Sequence, residues 1–113
     1  MERGEVWWVG LPEPAGSEPG FRRPVLVVQS NSFNRSRIQT VVVATMGTNL
    51  RLADAPGNIL VDPEESGLPE ASVVNVSQVV TVDRRRLQTR CGQLPPGVMS
   101  LVDDGLRLAL GLG

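Results

Sequence analysis

The tripeptide Arg22-Arg23-Pro24 is the segment of this chain best placed to do chemistry. A guanidinium keeps its charge at any biological pH, and its planar fork fits two oxygens of a phosphate. Pro24 fixes its own φ and restricts Arg23 to an extended conformation, which holds that guanidinium at the mouth of the apolar run Val25-Leu26-Val27-Val28. The Pro- and Gly-rich stretch from Pro12 to Phe21 leads directly into it and reads as a surface loop of the kind that carries function. Within that loop Glu18 can accept a proton, or can simply pair with Arg22 or Arg23 and lose its basicity. Loop and positioned arginine together form the first candidate site.

Other chemistries are narrowed by composition. The chain has no histidine and a single cysteine, Cys91, which excludes an internal disulfide, a cysteine-built zinc site and an imidazole base. Most familiar hydrolase mechanisms go with them, and neither a metal nor a cofactor is expected. Only Arg90 lies near enough in sequence to favour the Cys91 thiolate, so no redox role is expected of it. From Pro19 to Ala53 the chain carries Arg22, Arg23, Arg35, Arg37 and Arg51 and no acid, whereas Asp54 to Glu70 carries five acids and no base. If folding brings the second cluster, Arg84, Arg85, Arg86 and Arg90, near the first, the two could contact phosphates. The bland alternative is a solvated Arg-rich turn.

The elements that must position these residues are mostly strands. At 113 residues, 41% apolar and 20% charged, the chain matches one domain, residues 1–113, with one buried core. No run approaches the roughly 18 apolar residues of a membrane span, and Met1 to Glu5 lacks a signal-peptide layout, so a cytoplasmic protein away from membranes is expected. Short β-branched runs separated by Gly, Pro, Asn and Ser predict strands over Glu5–Leu11, Val25–Gln29, Gln39–Met46, Asn58–Val61, Ser72–Val76 and Gln78–Val82. Val25 to Val28 and Val41 to Ala44 are apolar throughout and belong at the centre of a sheet. After Pro95-Pro96-Gly97, Val98, Leu101, Val102, Leu106 and Ala109 recur at helical spacing, which predicts one amphipathic helix over Val98–Leu110. Gly105 within it implies close packing. The fold class is therefore mainly β: a small, strongly curved sheet or barrel with a C-terminal helix. Trp7 and Trp8 face opposite ways on their strand and suit core or dimer packing.

Many fragments share order and spacing with one family. Arg3-Gly4-Glu5-Val6-Trp7-Trp8, Gly16-Ser17-Glu18, Arg23 to Gln29, Phe33-Asn34, Thr48-Asn49-Leu50, Gly57-Asn58, Ser72 to Asn75 and Gln78 to Asp83 together resemble the MazF/PemK toxins. The resemblance spans about Arg3 to Leu112. It implies an SH3-like barrel with a C-terminal helix, a homodimer, and a sequence-specific, metal-independent endoribonuclease acting on single-stranded RNA and restrained by a MazE-type antitoxin. Such cleavage can use the substrate's own 2′-hydroxyl as nucleophile, leaving a 2′,3′-cyclic phosphate and a 5′-hydroxyl. It needs an acceptor for the 2′-proton, a donor for the leaving oxygen and positive charge on the transition state. The resemblance assigns Arg23 to the charge and Glu18 to the proton.

One catalytic position departs from the family. Members commonly carry a catalytic Thr where this chain has Gly47, in the run Met46-Gly47-Thr48-Asn49. Thr48 is the expected substitute, provided that Gly47 takes a positive φ and lets the chain bulge to redirect it. Ser17, Arg22, Ser30, Asn34, Asn49, Ser72, Gln78 and Arg86 match an RNA groove, although Asn34 could instead cap a turn and Gln78 satisfy buried backbone groups. Two other readings remain open: a CcdB-like toxin, which shares this fold but binds gyrase and cleaves nothing, and a degenerate toxin weakened at Gly47.

Overall fold

A computed structural model describes residues 1–11 and 21–113. The loop carrying Ser17 and Glu18 lies outside the described residues. Strands β1 (Glu5–Leu11), β2 (Phe21–Val27), β3 (Thr40–Gly47), β4 (Ile59–Val61), β5 (Ser72–Asp83) and β6 (Leu87–Gln93) form one antiparallel sheet. Its order is β4-β5-β3-β2-β1-β6, which places the two apolar runs at the centre. Three helices accompany it: α1 (Asn31–Asn34), α2 (Pro63–Ser66) and α3 (Pro96–Leu110). No helix among the described residues is long and apolar enough to cross a membrane.

Alternation along β2 explains why the sheet curls. Val25 and Val27 pack on one face with Val9, Val41, Val43 and Val82. Leu26 points the other way and packs with Val6, Ala44, Met46, Val74, Val76 and Val102. Both faces of the central strands are buried, so the sheet wraps into a half-barrel. Trp7 packs against the first cluster and Trp8 against the second, as their alternation requires.

Three features depart from the sequence-based expectation. The two predicted strands at 72–82 are one long strand, β5, which bulges: Asn75 pairs with Thr45 and Val79 with Ala44, leaving Val76, Ser77 and Gln78 between them unpaired with β3. β2 starts at Phe21 rather than Val25 and ends at Val27, so Arg22 and Arg23 are strand residues paired with Gly10 and Val9. β6, unforeseen, pairs through β1 alone and has few apolar residues to reveal it. The four-residue helices α1 and α2 are too short to show a helical period.

Pro96 opens α3 and Gly111, with φ 69°, closes it. The helix docks through Val98, Met99, Val102 and Leu106, whereas Leu101, expected on that face, is exposed. An ion pair of 2.7 Å between Arg3 and Asp103 fastens it to the N-terminus. Gly105 meets the turn at Gly57: a Cβ on Gly105 would lie 2.2 Å from the Gly57 carbonyl oxygen. Gly105→Ala therefore gains about 1 kcal/mol of helix propensity but loses more to overpacking, roughly 1–3 kcal/mol or more. Urea denaturation should show a net loss of stability. Gly97→Ala in the same helix, with nothing within 4 Å, should be neutral or stabilising.

Candidate functional site

The site is created where β2 and β3 part. Their pairing runs from Val27↔Val43 to Val25↔Thr45 and stops there. Pro24 sits just beyond this last pair, so its missing N–H leaves no gap in the β2–β3 ladder. From that point β3 follows β5, with Gly47 opposite Val73, while β2 stays on β1. The opening is a cleft of about 530 Å³ lined by Trp8, Arg22, Arg23, Pro24, Gly47, Thr48, Glu70 and Ser72, among others. A second cleft of about 670 Å³ is lined by Thr45, Ser77, Gln78, Thr81 and Arg86, and again by Arg23. Arg23, half-buried, is the residue the two clefts share.

Within the first cleft Arg22 is held as well as exposed. Its Nε donates to Gln88 Oε1 at 2.9 Å and its Nη2 to Thr89 Oγ1 at 3.3 Å, and its guanidinium lies 5.1 Å from the centre of the Trp8 ring. Stacking of the exposed guanidinium on this half-buried indole contributes about 0.5–1 kcal/mol, enough to favour one rotamer. Gly47 faces Arg23: a Cβ there would stand 3.9 Å from Arg23 Nη2, with no other contact within 4 Å among the described residues. The expected positive φ at Gly47 is not found, so the chain does not bulge to redirect Thr48. Thr48 nonetheless lines the cleft and is exposed, because it follows the strand's last residue. Ser72 is buried, and its hydroxyl donates to the Glu70 carbonyl at 3.1 Å, fixing the rim rather than facing outward. Glu70 was missed in the sequence, since it stands far from Arg23 along the chain.

Cations in the second cleft are fewer than the sequence suggests. Asp83 accepts from Arg85 Nε at 3.1 Å, Nη2 at 3.0 Å and the Arg85 amide at 2.8 Å. These bonds, foremost those from the side chain, hold the Asp83 carboxyl down at about 2, so it is ionised at neutral pH and matched by Arg85. Arg84 turns inward and donates to the carbonyls of Phe33 and Asn34, and Arg90 pairs with Glu5 at 3.1 Å. Of the cluster from Arg84 to Arg90, Arg86 lines the cleft beside Arg23, with Nη1 3.3 Å from the Gly10 carbonyl oxygen. Burial pushes the Cys91 thiol up, against weaker opposing effects of the Trp8 backbone and Arg22.

Three candidates fall elsewhere. Asn49 is exposed and accepts from the Arg51 amide at 3.3 Å, capping the turn at Leu50–Asp54. Ser30 precedes α1, 3.1 Å from the Ser32 hydroxyl, and lines neither cleft. Asn34 is 6% exposed; its amide accepts from Gln29 Nε2 at 2.9 Å and donates to Gln29 O and Asn31 Oδ1. Its side chain therefore ties α1 to the end of β2 instead of meeting a ligand. Asn34→Ala should cost about 1–3 kcal/mol by leaving buried partners unsatisfied, read as a lower midpoint in urea. Nucleic-acid affinity of the remaining folded protein should be unchanged.

Comparison with known proteins agrees with the fold. The sequence profile of PemK-like, MazF-like toxins of type II toxin–antitoxin systems matches residues 2–110. The chain is 44% identical over 112 residues to endoribonuclease MazF6 of Mycobacterium tuberculosis, covering 99% of this chain and 98% of that one. It is 33% identical over 112 residues to endoribonuclease EndoA of Bacillus subtilis, covering 99% and 96%. Among solved structures, an endoribonuclease in complex with its cognate antitoxin from a mycobacterial species superposes with a TM-score of 0.80 at 26% identity, covering 100% of this chain and 97% of that one.

Proposed function

The chain belongs to the PemK-like, MazF-like toxin family, and from that premise we propose that it is a cytoplasmic endoribonuclease toxin that cuts single-stranded RNA without a metal. The observation that carries this reading is Arg23, fixed at the junction of two clefts and facing the end of β3. A strand of RNA running from one cleft to the other passes its phosphate over that guanidinium. The attacking 2′-hydroxyl gives its proton to a carboxylate, assigned to Glu18. Its oxygen bonds to phosphorus, the bond to the 5′-oxygen breaks, and that oxygen takes a proton from solvent to leave as the 5′-hydroxyl, while the carboxylic acid later returns its proton to solvent. Arg23 binds the non-bridging oxygens, where negative charge grows. Thr48, on the rim, hydrogen-bonds the same phosphate. Arg22 and Arg86 hold flanking phosphates, and Gln78 meets a base.

Control follows from the same surface. A MazE-type antitoxin segment that is acidic and apolar covers the arginine-lined clefts of a homodimer and excludes RNA, with an affinity that falls as salt rises. The gyrase-binding alternative is not favoured, because the relatives above are named endoribonucleases. Gly47 supports a second reading at the level of rate. It offers no side-chain hydroxyl at the position that faces Arg23, so turnover is slower than such a hydroxyl would give.

Purified protein should cut a long unstructured RNA in EDTA at one short motif, with sequenced ends carrying 5′-hydroxyls. Arg23→Ala should lower the rate by about 10²–10³-fold, as for loss of a preorganised donor to a transition-state oxyanion. Thr48→Ala should lower it by roughly tenfold or more, the worth of a hydrogen bond to a charged group. Gly47→Thr, for which there is space, should raise it. An uncut RNA, or a rate indifferent to Arg23→Ala, would sink the reading.

A further inference from the structure

The bulge in β5 sets one side chain apart. Val76, Ser77 and Gln78 have no partner on β3, and Gln78 stands exposed on the wall of the second cleft, next to Arg23. Thr45, the β3 residue at the bulge, is 6% exposed, and its hydroxyl donates to Gln78 Oε1 at 2.8 Å. The direction of this bond is fixed by accounting for protons. In the reversed amide, Nε2 would donate to Thr45 Oγ1, and the Thr45 hydroxyl proton would be buried with no other acceptor among the described residues. Held by its oxygen, the Gln78 amide turns Nε2 to the cleft, and Nε2 has no partner among the described residues.

We propose that Thr45 is a positioning residue that locks the Gln78 amide as a hydrogen-bond donor, so that the cleft beside Arg23 selects an RNA base with a keto oxygen, uracil or guanine, over one with an amino group. This rests on the RNA-cleaving reading above and specifies its substrate. Uracil O4 and guanine O6 accept, whereas cytosine N4 and adenine N6 carry hydrogens that oppose a donor. Single-stranded RNA exposes these edges. An amide free to flip would accept either class. Discrimination therefore belongs to the pair, Gln78 making the contact and Thr45 removing the choice. The charge of Arg23 and Arg86 serves every base equally and adds affinity without preference.

Short oligouridine and oligocytidine make the cleanest comparison, because the two bases have the same size and differ only on one edge, O4 and N3–H against N4–H2 and N3. The full-length protein should bind oligouridine about tenfold more tightly, the scale of one hydrogen bond matched against one opposed. Thr45→Val, which keeps the shape and removes the hydroxyl, should bring the ratio near one, and Thr45→Ser should restore it. The cut sites should broaden in parallel, from a keto base to any base at one position next to the break. In the wild type, the Gln78 side-chain amide resonances should shift with oligouridine and not with oligocytidine, a test that does not depend on how the variants fold. Equal binding of the two oligomers by the wild type, or an unchanged ratio in a folded Thr45→Val, overturns the inference and leaves the ribonuclease reading standing. Failure to bind or cut any RNA overturns both.

Discussion

The parting of β2 from β3 beyond Val25 and Thr45 is the constraint on which the site depends. Two strands that stayed paired would bring Arg23 and Gly47 edge to edge in a continuous ladder and leave no cleft. They separate because each has another partner that continues: β1 runs alongside Arg22 and Arg23, and β5 alongside Met46 and Gly47. Pro24, unable to donate, sits at the point of divergence, and the β5 bulge lies opposite the same place on β3. A bulge increases local twist, and twist is what carries two neighbouring strands onto diverging paths. The core fixes the register, since Val25 and Leu26 are buried in different clusters on opposite faces and a shift by one residue would exchange them between two differently shaped cores.

Charge placement follows from that framework. Eleven arginines do not make a uniformly cationic surface, because the fold commits several to internal work. Arg3 ties α3 to the end of β2, Arg84 caps α1 carbonyls, Arg85 neutralises Asp83, and Arg90 pairs with buried Glu5. Burial works to raise the Glu5 carboxyl; bonds from the Glu2 amide, the Trp7 indole and Arg90 outweigh it and keep it lower than usual. Such pairs bring little net charge to the surface. Arg22, Arg23 and Arg86 are the members of the two clusters that line the clefts, where Glu70 and the Arg85-paired Asp83 also stand.

Elements with strong periodicity were legible in the sequence. β1, β3 and α3 follow from apolar spacing over seven or more residues, and Arg23 follows from its place between a loop and a buried strand. The edge strand β6 was not legible, because one neighbour suffices to hold it and its sequence, Leu87 to Gln93, is mostly polar. Nor was the bulge: Ser77 between two apolar runs reads as a break, and only the pairing of Asn75 with Thr45 and Val79 with Ala44 shows that the strand continues through it. Asn34 illustrates a different limit. Its fragment matched a family motif, yet a motif does not say whether a side chain faces a ligand or its own turn. Three hydrogen bonds in the fold decide for the turn.

Gly47 shows how one missing side chain acts in two ways. A hydrogen-bond donor facing Arg23 would add directly to the charge-stabilising set. Its bulk would also have occupied the space within 3.9 Å of Arg23 Nη2. Electrostatic stabilisation depends on the exclusion of water, since the interaction of two charges falls several-fold when a protein-like medium is replaced by water. On the opposite side the cleft is closed by Trp8, Pro24, Leu68 and Pro69, which keep the dielectric low there. In the proposed binding mode, RNA bases that fill the second cleft exclude water beside Arg23, so occupancy of that cleft and the strength of Arg23 at the phosphate would be physically linked, and the proposed contact of Gln78 with a base would serve rate as well as affinity.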